Sequence, residues 1–237
     1  MTDAHCHVRR LEARHFVCDP MGTSSGSSGR VPSRDVFFKG WHPWFLDGFD
    51  PDALRAALAA DAHLGVGEIG LDRLRSREIP ARMREAFHAQ LDIASDFSRP
   101  VVLHGAKCWG EVAKACRPYL GRIPAFLFHG FSRSAGLLPE IEAMNGFVSI
   151  SPALLNDHAV NYRELAKAVP GRMLLVESDA TEETALSAPS AGDVAARLAE
   201  FRGLSNEAMA AVLEENADRF LGALSQPTTI SSTGNRT

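Results

Sequence analysis

Residues 100–104 have the sequence Pro-Val-Val-Leu-His, an apolar run that ends in a histidine. Residues 125–129 repeat the pattern as Ala-Phe-Leu-Phe-His, and residues 173–179 read Met-Leu-Leu-Val-Glu-Ser-Asp. Short apolar runs separated by helical patterns are typical of buried strands in a parallel sheet. Each run ends in side chains that bind protons or metal ions. We therefore expect a parallel α/β fold that carries polar residues at its strand ends.

Eight such runs alternate with helical patterns along the chain. The candidate strands lie at residues 2–7, 16–18, 36–40, 64–68, 101–104, 125–129, 147–150 and 173–177. This alternation predicts a (β/α)8 TIM barrel. A Ser/Gly-rich segment, residues 21–32, stands where the helix after strand two is expected, so we predict that this helix is shortened or lost. We assign residues 1–222 to one domain and predict that the polar tail, residues 223–237, is disordered.

The composition is that of an ordinary globular protein, with 237 residues, 45% hydrophobic and 23% charged, and a formal net charge of −4. This charge gives no global basic field, so phosphate binding would need a local patch or a metal. The four cysteines form no CxxC pair and predict reduced thiols. We find no signal-peptide pattern and no apolar run of about 18–20 residues. We therefore expect a cytoplasmic protein with no membrane partner and no obligate protein partner.

Histidines and carboxylates stand near the ends of five predicted strands. In the segment Asp-Ala-His-Cys-His, residues 3–7, strand alternation places His5 and His7 on one face, as a metal chelate requires. The others, at strands four, five, six and eight, are Glu68, His104, His129 and Asp179. Each alone has a structural explanation, such as a helix cap, a salt bridge or a hydrogen-bonded imidazole. Because strand ends converge on one face of a barrel, the six together indicate two divalent cations that share a bridging carboxylate.

The order of these motifs resembles that of the TatD family of metal-dependent deoxyribonucleases, in the amidohydrolase-like group, and of a compact branch of it. The matching segments are residues 3–7, 40–43, 66–72, 101–104, 128–132 and 174–179, with a closing helix at residues 215–220. The resemblance implies a barrel with two divalent cations. His5 and His7 would bind one metal together with Asp179. Glu68 would bridge both metals, and His104 and His129 would complete the second.

The resemblance also implies a reaction, the hydrolysis of phosphodiester bonds in DNA, in which a metal-activated water attacks. Asp179 is the expected base, because it can touch both metal and water. His42 would lie near the site and either contact a substrate phosphate or pack between the tryptophans at residues 41 and 44. Arg73 and Arg75 precede the next helix, so we expect them to bind phosphate; the alternative is a solvated surface.

Three points stay open at the level of sequence. Nitrogen and oxygen ligands accept Zn²⁺, Mn²⁺ or Mg²⁺. The substrate is expected to be DNA or a small phosphodiester, but the same barrel site would also suit hydrolysis of small amides, lactones or phosphoesters. A metal-binding protein without catalysis is the third class, and the intact ligand set argues against it. The loop after Asp179 lacks the basic segment usual in the family, and this departure bears on the substrate rather than on the metals.

Overall fold

All eight predicted strands are present in the computed structural model, which describes residues 1–10, 13–21, 34–132, 135–222 and 224. The strands are β1 Thr2–Cys6, β2 Arg14–Pro20, β3 Val36–Gly40, β4 Gly65–Asp72, β5 Val101–Ala106, β6 Phe126–Phe128, β7 Gly146–Ile150 and β8 Leu174–Val176. They form one parallel sheet in the order of the sequence, from β1 to β8. The predicted eight-stranded parallel barrel is therefore confirmed.

Seven α-helices lie within the described residues, and they alternate with most of the strands as the sequence predicts. They are α1 Pro51–Ala60, α2 Ala81–Asp96, α3 Trp109–Cys116, α4 Leu138–Ala143, α5 Val160–Ala168, α6 Ala191–Arg202 and α7 Asn206–Leu221. Local side chains satisfy the first backbone N–H groups of three of them. Asp50 caps α1, Ser190 forms a capping box with Asp193 at the start of α6, and Ser205 caps α7.

Aromatic rings fill the interior of the barrel below the polar strand ends. Phe220, near the end of α7, lies 5.5 Å from Phe16, 6.0 Å from Phe38 and 5.7 Å from Phe147, measured between ring centroids. All four side chains are fully buried. Apolar packing of α7 therefore closes this end of the barrel, and the histidines and Glu68 lie toward the opposite, C-terminal end.

Hydrogen bonds join β1 to the segment that follows β8. The backbone N–H of Asp179 donates to the His5 carbonyl at 3.1 Å, and that of His7 donates to a carbonyl of the same segment at 2.8 Å. The buried Asp3 carboxylate accepts from the Ser178 backbone N–H at 2.9 Å and from its hydroxyl at 2.6 Å. These bonds hold Asp179 beside the strand that carries the first two histidines.

Strand β4 runs four residues past Glu68, so the prediction that this glutamate stands at a strand end is wrong. The pairing of β4 with β5 is irregular between Val66 and Ile69. Val66 and Ile69 both pack in the apolar layer outside the sheet, whereas Glu68 points into the interior. Simple alternation from Val66 would turn Glu68 outward, and the irregularity reverses its face.

Two predictions fall outside the described residues. The Ser/Gly-rich segment 21–32 is described only at Met21, and the tail after residue 222 only at Leu224. The loss of the helix after β2 and the disorder of the tail therefore stay predictions. Among the described helices, none has the length and apolar character needed to cross a membrane.

Candidate metal centre

Glu68 lies at the middle of the site, with its two carboxylate oxygens facing different pairs of histidines. Oε1 lies 2.6 Å from Nδ1 of His104 and 2.7 Å from Nε2 of His129. Oε2 lies 3.5 Å from Nε2 of His5 and 3.6 Å from Nε2 of His7. The Glu68 side chain is only 4% exposed. A buried carboxylate between two imidazole pairs has the arrangement expected of a bridging ligand.

Asp179 stands beside the first of these pairs. Its Oδ1 lies 3.4 Å from Nε2 of His5 and 3.9 Å from Nε2 of His7. The side chain is 51% exposed, so it reaches solvent as well as the histidines. The ring of His5 stacks on that of His129, with 3.9 Å between centroids, and this contact joins the two halves of the site. The structure thus brings all six predicted ligands to one place.

The buried polar atoms of the centre fit a divalent cation. Nε2 of His5, the ring nitrogen that faces Glu68 and Asp179, is buried without a hydrogen-bond partner in the described part of the chain. Three groups of possible ligands have their ligand atoms within 4.8 Å of one another: His5, His129 and Asp179; His5, His7 and Glu68; and His42, Glu68 and His104. An unpaired buried polar group costs about 1–3 kcal/mol. Imidazole nitrogens and carboxylate oxygens directed at one point would be satisfied by a metal ion.

Hydrogen bonds behind two of the histidines decide which ring nitrogen faces the centre. Nδ1 of His7 donates to the Cys18 carbonyl at 3.0 Å, which leaves Nε2 for the centre. Nε2 of His104 lies 2.8 Å from Oδ2 of the buried Asp72, which leaves Nδ1 toward Glu68. Acceptors in this position fix the tautomer and orientation of a metal-binding histidine.

A second carboxylate lies behind His129. Oε1 of Glu177 is 3.6 Å from Nδ1 of His129, and the other oxygen of Glu177 accepts a hydrogen bond from the Ser149 hydroxyl. The sequence motifs contained Glu177 and Asp72, but we assigned no role to either. For Glu177 a signal was available, because it lies two residues after Leu175 and alternation therefore turns it inward with that residue.

The charges of the centre shift the pKa values of its members. Burial alone would raise the pKa of Glu68, but His129 and His104 hold it well below its usual range. Burial would lower the pKa of both histidines, but the Glu68 carboxylate raises it, aided by Asp72 and Glu177. Without metal, the centre therefore holds protons on imidazoles that lie between ionised carboxylates, and a metal ion would have to displace them.

His42 directs a hydrogen-bond donor at the centre. Its Nδ1 accepts from the Trp44 backbone N–H at 3.1 Å, so the neutral ring carries its proton on Nε2, which lies 3.6 Å from Glu68 Oε1. Burial lowers the pKa of His42 to about 4, although Glu68 opposes this shift. The ring packs edge-on against Trp44 at 5.1 Å, and no ring contact with Trp41 occurs among the described residues.

The two predicted phosphate-binding arginines differ in their surroundings. Nη2 of Arg73 lies 2.5 Å from Oε1 of Glu111, so its charge is balanced within the protein. The Arg75 guanidinium stacks over the Trp44 ring, 3.9 Å from its centroid. Arg75 has no carboxylate partner among the residues that the structure describes. The stack on Trp44 places Arg75 on the His42 side of the centre.

A family model described as TatD related DNase matches residues 27–222. Among curated relatives, the 3'-5' ssDNA/RNA exonuclease TatD of Edwardsiella piscicida is 30% identical over 128 residues, which are 54% of this chain and 49% of that protein. The protein of the same name from Pectobacterium carotovorum subsp. carotovorum is 34% identical over 123 residues, with 52% and 47% covered. The matched part thus spans about half the length of these curated relatives.

Solved structures share the fold. YJJV, a TatD homolog from Escherichia coli k12, superimposes with a TM-score of 0.77 at 21% identity, over 93% of this chain and 97% of that chain. An uncharacterized amidohydrolase from Saccharomyces cerevisiae gives a TM-score of 0.65 at 14% identity, over 79% and 81% of the two chains. At these identities the likeness concerns the barrel alone.

Proposed function

The chain belongs to the TatD related DNase family, and on this premise we propose that it is a metal-dependent hydrolase that cleaves phosphodiester bonds in DNA. One observation carries the proposal, namely that the two oxygens of the buried Glu68 face separate pairs of imidazoles. Burying an isolated carboxylate costs free energy. A salt bridge to a single cationic side chain would remove this cost, so it does not explain why four imidazoles face Glu68. A two-cation site explains the arrangement directly.

Each half of the centre would hold one divalent cation, Zn²⁺, Mn²⁺ or Mg²⁺. The first half consists of His5, His7 and Asp179, and the second of His104 and His129, with Glu68 shared between them. Bound cations would lower the pKa of a water molecule and balance the negative charge of the phosphoryl oxygens.

Side chains of the protein would perform the remaining steps of the reaction. Asp179 would accept the proton of the attacking water, because one of its oxygens faces the histidines while the side chain also reaches solvent. His42 would donate its Nε2–H to a phosphoryl oxygen, since its other ring nitrogen already accepts from the backbone. Arg75 would bind phosphate, and Arg73 would do so only in competition with Glu111.

A hydrolase screen tests this proposal. Purified protein would be supplied in turn with Zn²⁺, Mn²⁺ and Mg²⁺ and offered single-stranded DNA, small phosphodiesters, phosphomonoesters, lactones and amides. We expect metal-dependent cleavage of the phosphodiesters, with no activity in the Glu68→Gln variant. If turnover is confined to lactones, amides or phosphomonoesters, the nuclease proposal is wrong and the alternative hydrolase is supported. Metal binding without turnover on any substrate would contradict both.

We also propose a reducing, cytoplasmic location for the enzyme. The support is the state of the thiols, because the cysteines at residues 6, 18, 108 and 116 are all free and buried. Fractionation of the native host, followed by immunodetection, tests the location.

A further inference from the structure

Exposed apolar side chains lie on one side of the mouth of the centre. In the loop after β3, the Phe45 ring is 47% exposed and lies 5.6 Å from the His42 ring, measured between centroids. In the loop after β4, Leu74 is 53% exposed. Together with Trp44 and Arg75 they form what we call the mouth wall. Exposed aromatic groups beside a polar site are typical of surfaces on which a flat ligand stacks.

Arg75 gives the mouth wall a positive charge. Its guanidinium is held over the Trp44 ring, 3.9 Å from the centroid, and it has no carboxylate partner in the described residues. Asp47, an acidic residue in the loop after β3, is paired with Arg82 at 3.7 Å. A cation that is oriented by an aromatic ring and not neutralised by an acid suits the binding of phosphate.

The opposite side of the mouth exposes two carboxylates. The loop after β8 exposes Glu182 and Glu183, which have no ion-pair partners in the described part of the chain. Leu186 in the same loop is fully exposed. The Arg10 guanidinium donates hydrogen bonds to the Thr184 and Ala188 carbonyls of this loop, at 3.3 and 2.9 Å. The two carboxylates outnumber the single guanidinium of this loop, so phosphates that extend from the centre would be attracted to the mouth wall rather than to this loop.

We propose that the mouth wall is a subsite for the nucleotide next to the scissile phosphate, in which Phe45 stacks on the unpaired base and Arg75 binds the flanking phosphate. The polynucleotide therefore leaves the centre over the loops after β3 and β4, not over the loop after β8. This inference rests on the proposed function and assigns the mouth wall a role in specificity. Duplex DNA would be a poor substrate, because its bases are not free to stack on Phe45.

Fluorescence anisotropy tests the role of Phe45. It measures the affinity of the metal-loaded protein for a labelled, single-stranded oligothymidylate with phosphorothioate linkages. We expect Phe45→Ala to weaken binding about tenfold, the order of one stacked base. Leu186→Ala is the matched control, an exposed apolar residue on the opposite side of the mouth, and it should bind like the parent. An otherwise identical abasic strand should bind Phe45→Ala and the parent equally well.

The salt dependence of the same binding tests Arg75. Arg75→Ala should reduce the slope of log affinity against log salt by about 0.7, the value for one single-strand phosphate contact. The control is Arg122→Ala, because Arg122 is also exposed and lies over an aromatic ring, that of Tyr119, but before β6 at the other end of the barrel.

Three outcomes overturn the inference. If Phe45→Ala and Leu186→Ala bind the strand with equal affinity, Phe45 does not stack on a base. If Phe45→Ala loses as much affinity for the abasic strand as for the intact one, the base is not what Phe45 recognises. If log affinity falls with log salt at the same slope in Arg75→Ala and Arg122→Ala, Arg75 does not bind a phosphate. If the parent cleaves DNA while these variants behave like their controls, only the subsite fails. If the parent neither binds nor cleaves DNA, the proposed function fails with it.

Discussion

The Oδ2 atom of Asp72 lies 2.8 Å from Nε2 of His104, on the side of the ring opposite Glu68. The other Asp72 oxygen accepts the Leu74 backbone N–H at 2.5 Å, which fixes the carboxylate in one orientation. Asp72 therefore orients His104 from behind and makes its Nδ1 a better electron donor toward the centre.

Asp72→Asn should weaken the binding of one metal ion by about 10–100-fold, the usual effect of losing a carboxylate behind a ligating histidine. The amide can still accept the hydrogen bond, but it has lost the negative charge that strengthens the ligand. Metal titration by calorimetry or with a competing chelator measures the change. Asp96→Asn is the control, because Asp96 is exposed and forms only a surface pair with Arg55. Equal affinities in the two variants would contradict the role of Asp72.

Glu68→Gln should lose one metal ion as well as activity. The neutral amide leaves two cations facing each other without an anion between them, and their repulsion is strong in a site shielded from water. Elemental analysis after dialysis, beside turnover on a phosphodiester, measures both losses. Glu85→Gln, at an exposed position of α2, controls for the loss of a surface charge. Two metals and full turnover in Glu68→Gln would refute the bridging role.

Asp179→Asn should keep most of its metal but lose turnover by roughly 100-fold or more, as expected when a general base is removed. The amide oxygen still offers a neutral ligand near His5 and His7 but cannot take the proton of water. Elemental analysis after dialysis and turnover on a phosphodiester are measured for Asp179→Asn and Glu68→Gln in parallel. If Asp179→Asn loses its metals while Glu68→Gln keeps both, the roles of the two acids are reversed.

Metal affinity should rise with pH, and binding should release protons. The pKa values of His104 and His129 are raised above the ordinary value in the metal-free protein, so both rings hold protons at pH values where a free histidine is neutral. Metal must displace these protons, and its affinity therefore falls as the pH drops through the raised pKa values, starting above about 6.5. The pKa values of Glu68 and Asp179 are lowered, so these acids stay ionised in that window.

Calorimetry of metal binding in buffers of different ionisation enthalpy measures the released protons directly. A metal affinity that does not change with pH above about 6.5, and no proton release there, would show that the histidines are already neutral before metal binds.

Sequence reasoning succeeded where the information is local. Apolar runs such as residues 101–104 and 125–128 predicted strands because a strand buried on both faces is largely apolar. Ser205 indicates the start of α7, because a serine before a helix caps the first backbone N–H groups within one turn. The cap of α6 at Ser190 emerged only from the structure. The grouping of the six expected ligands followed from topology, because a parallel barrel gathers its strand ends on one face whatever the details of its packing.

The tertiary structure alone decided the properties that depend on register and on partners distant in the chain. The register change beside Val66 sets the face of Glu68, and that irregularity depends on the pairing of β4 with β5. The sequence contained Asp72 but could not show that its oxygen lies behind His104, 32 residues away. It likewise could not separate Arg73, neutralised by Glu111, from Arg75, held on Trp44. In a regular strand the pattern determines which residues share a face. Irregular pairing and contacts between side chains depend on positions and distances that only the folded chain sets.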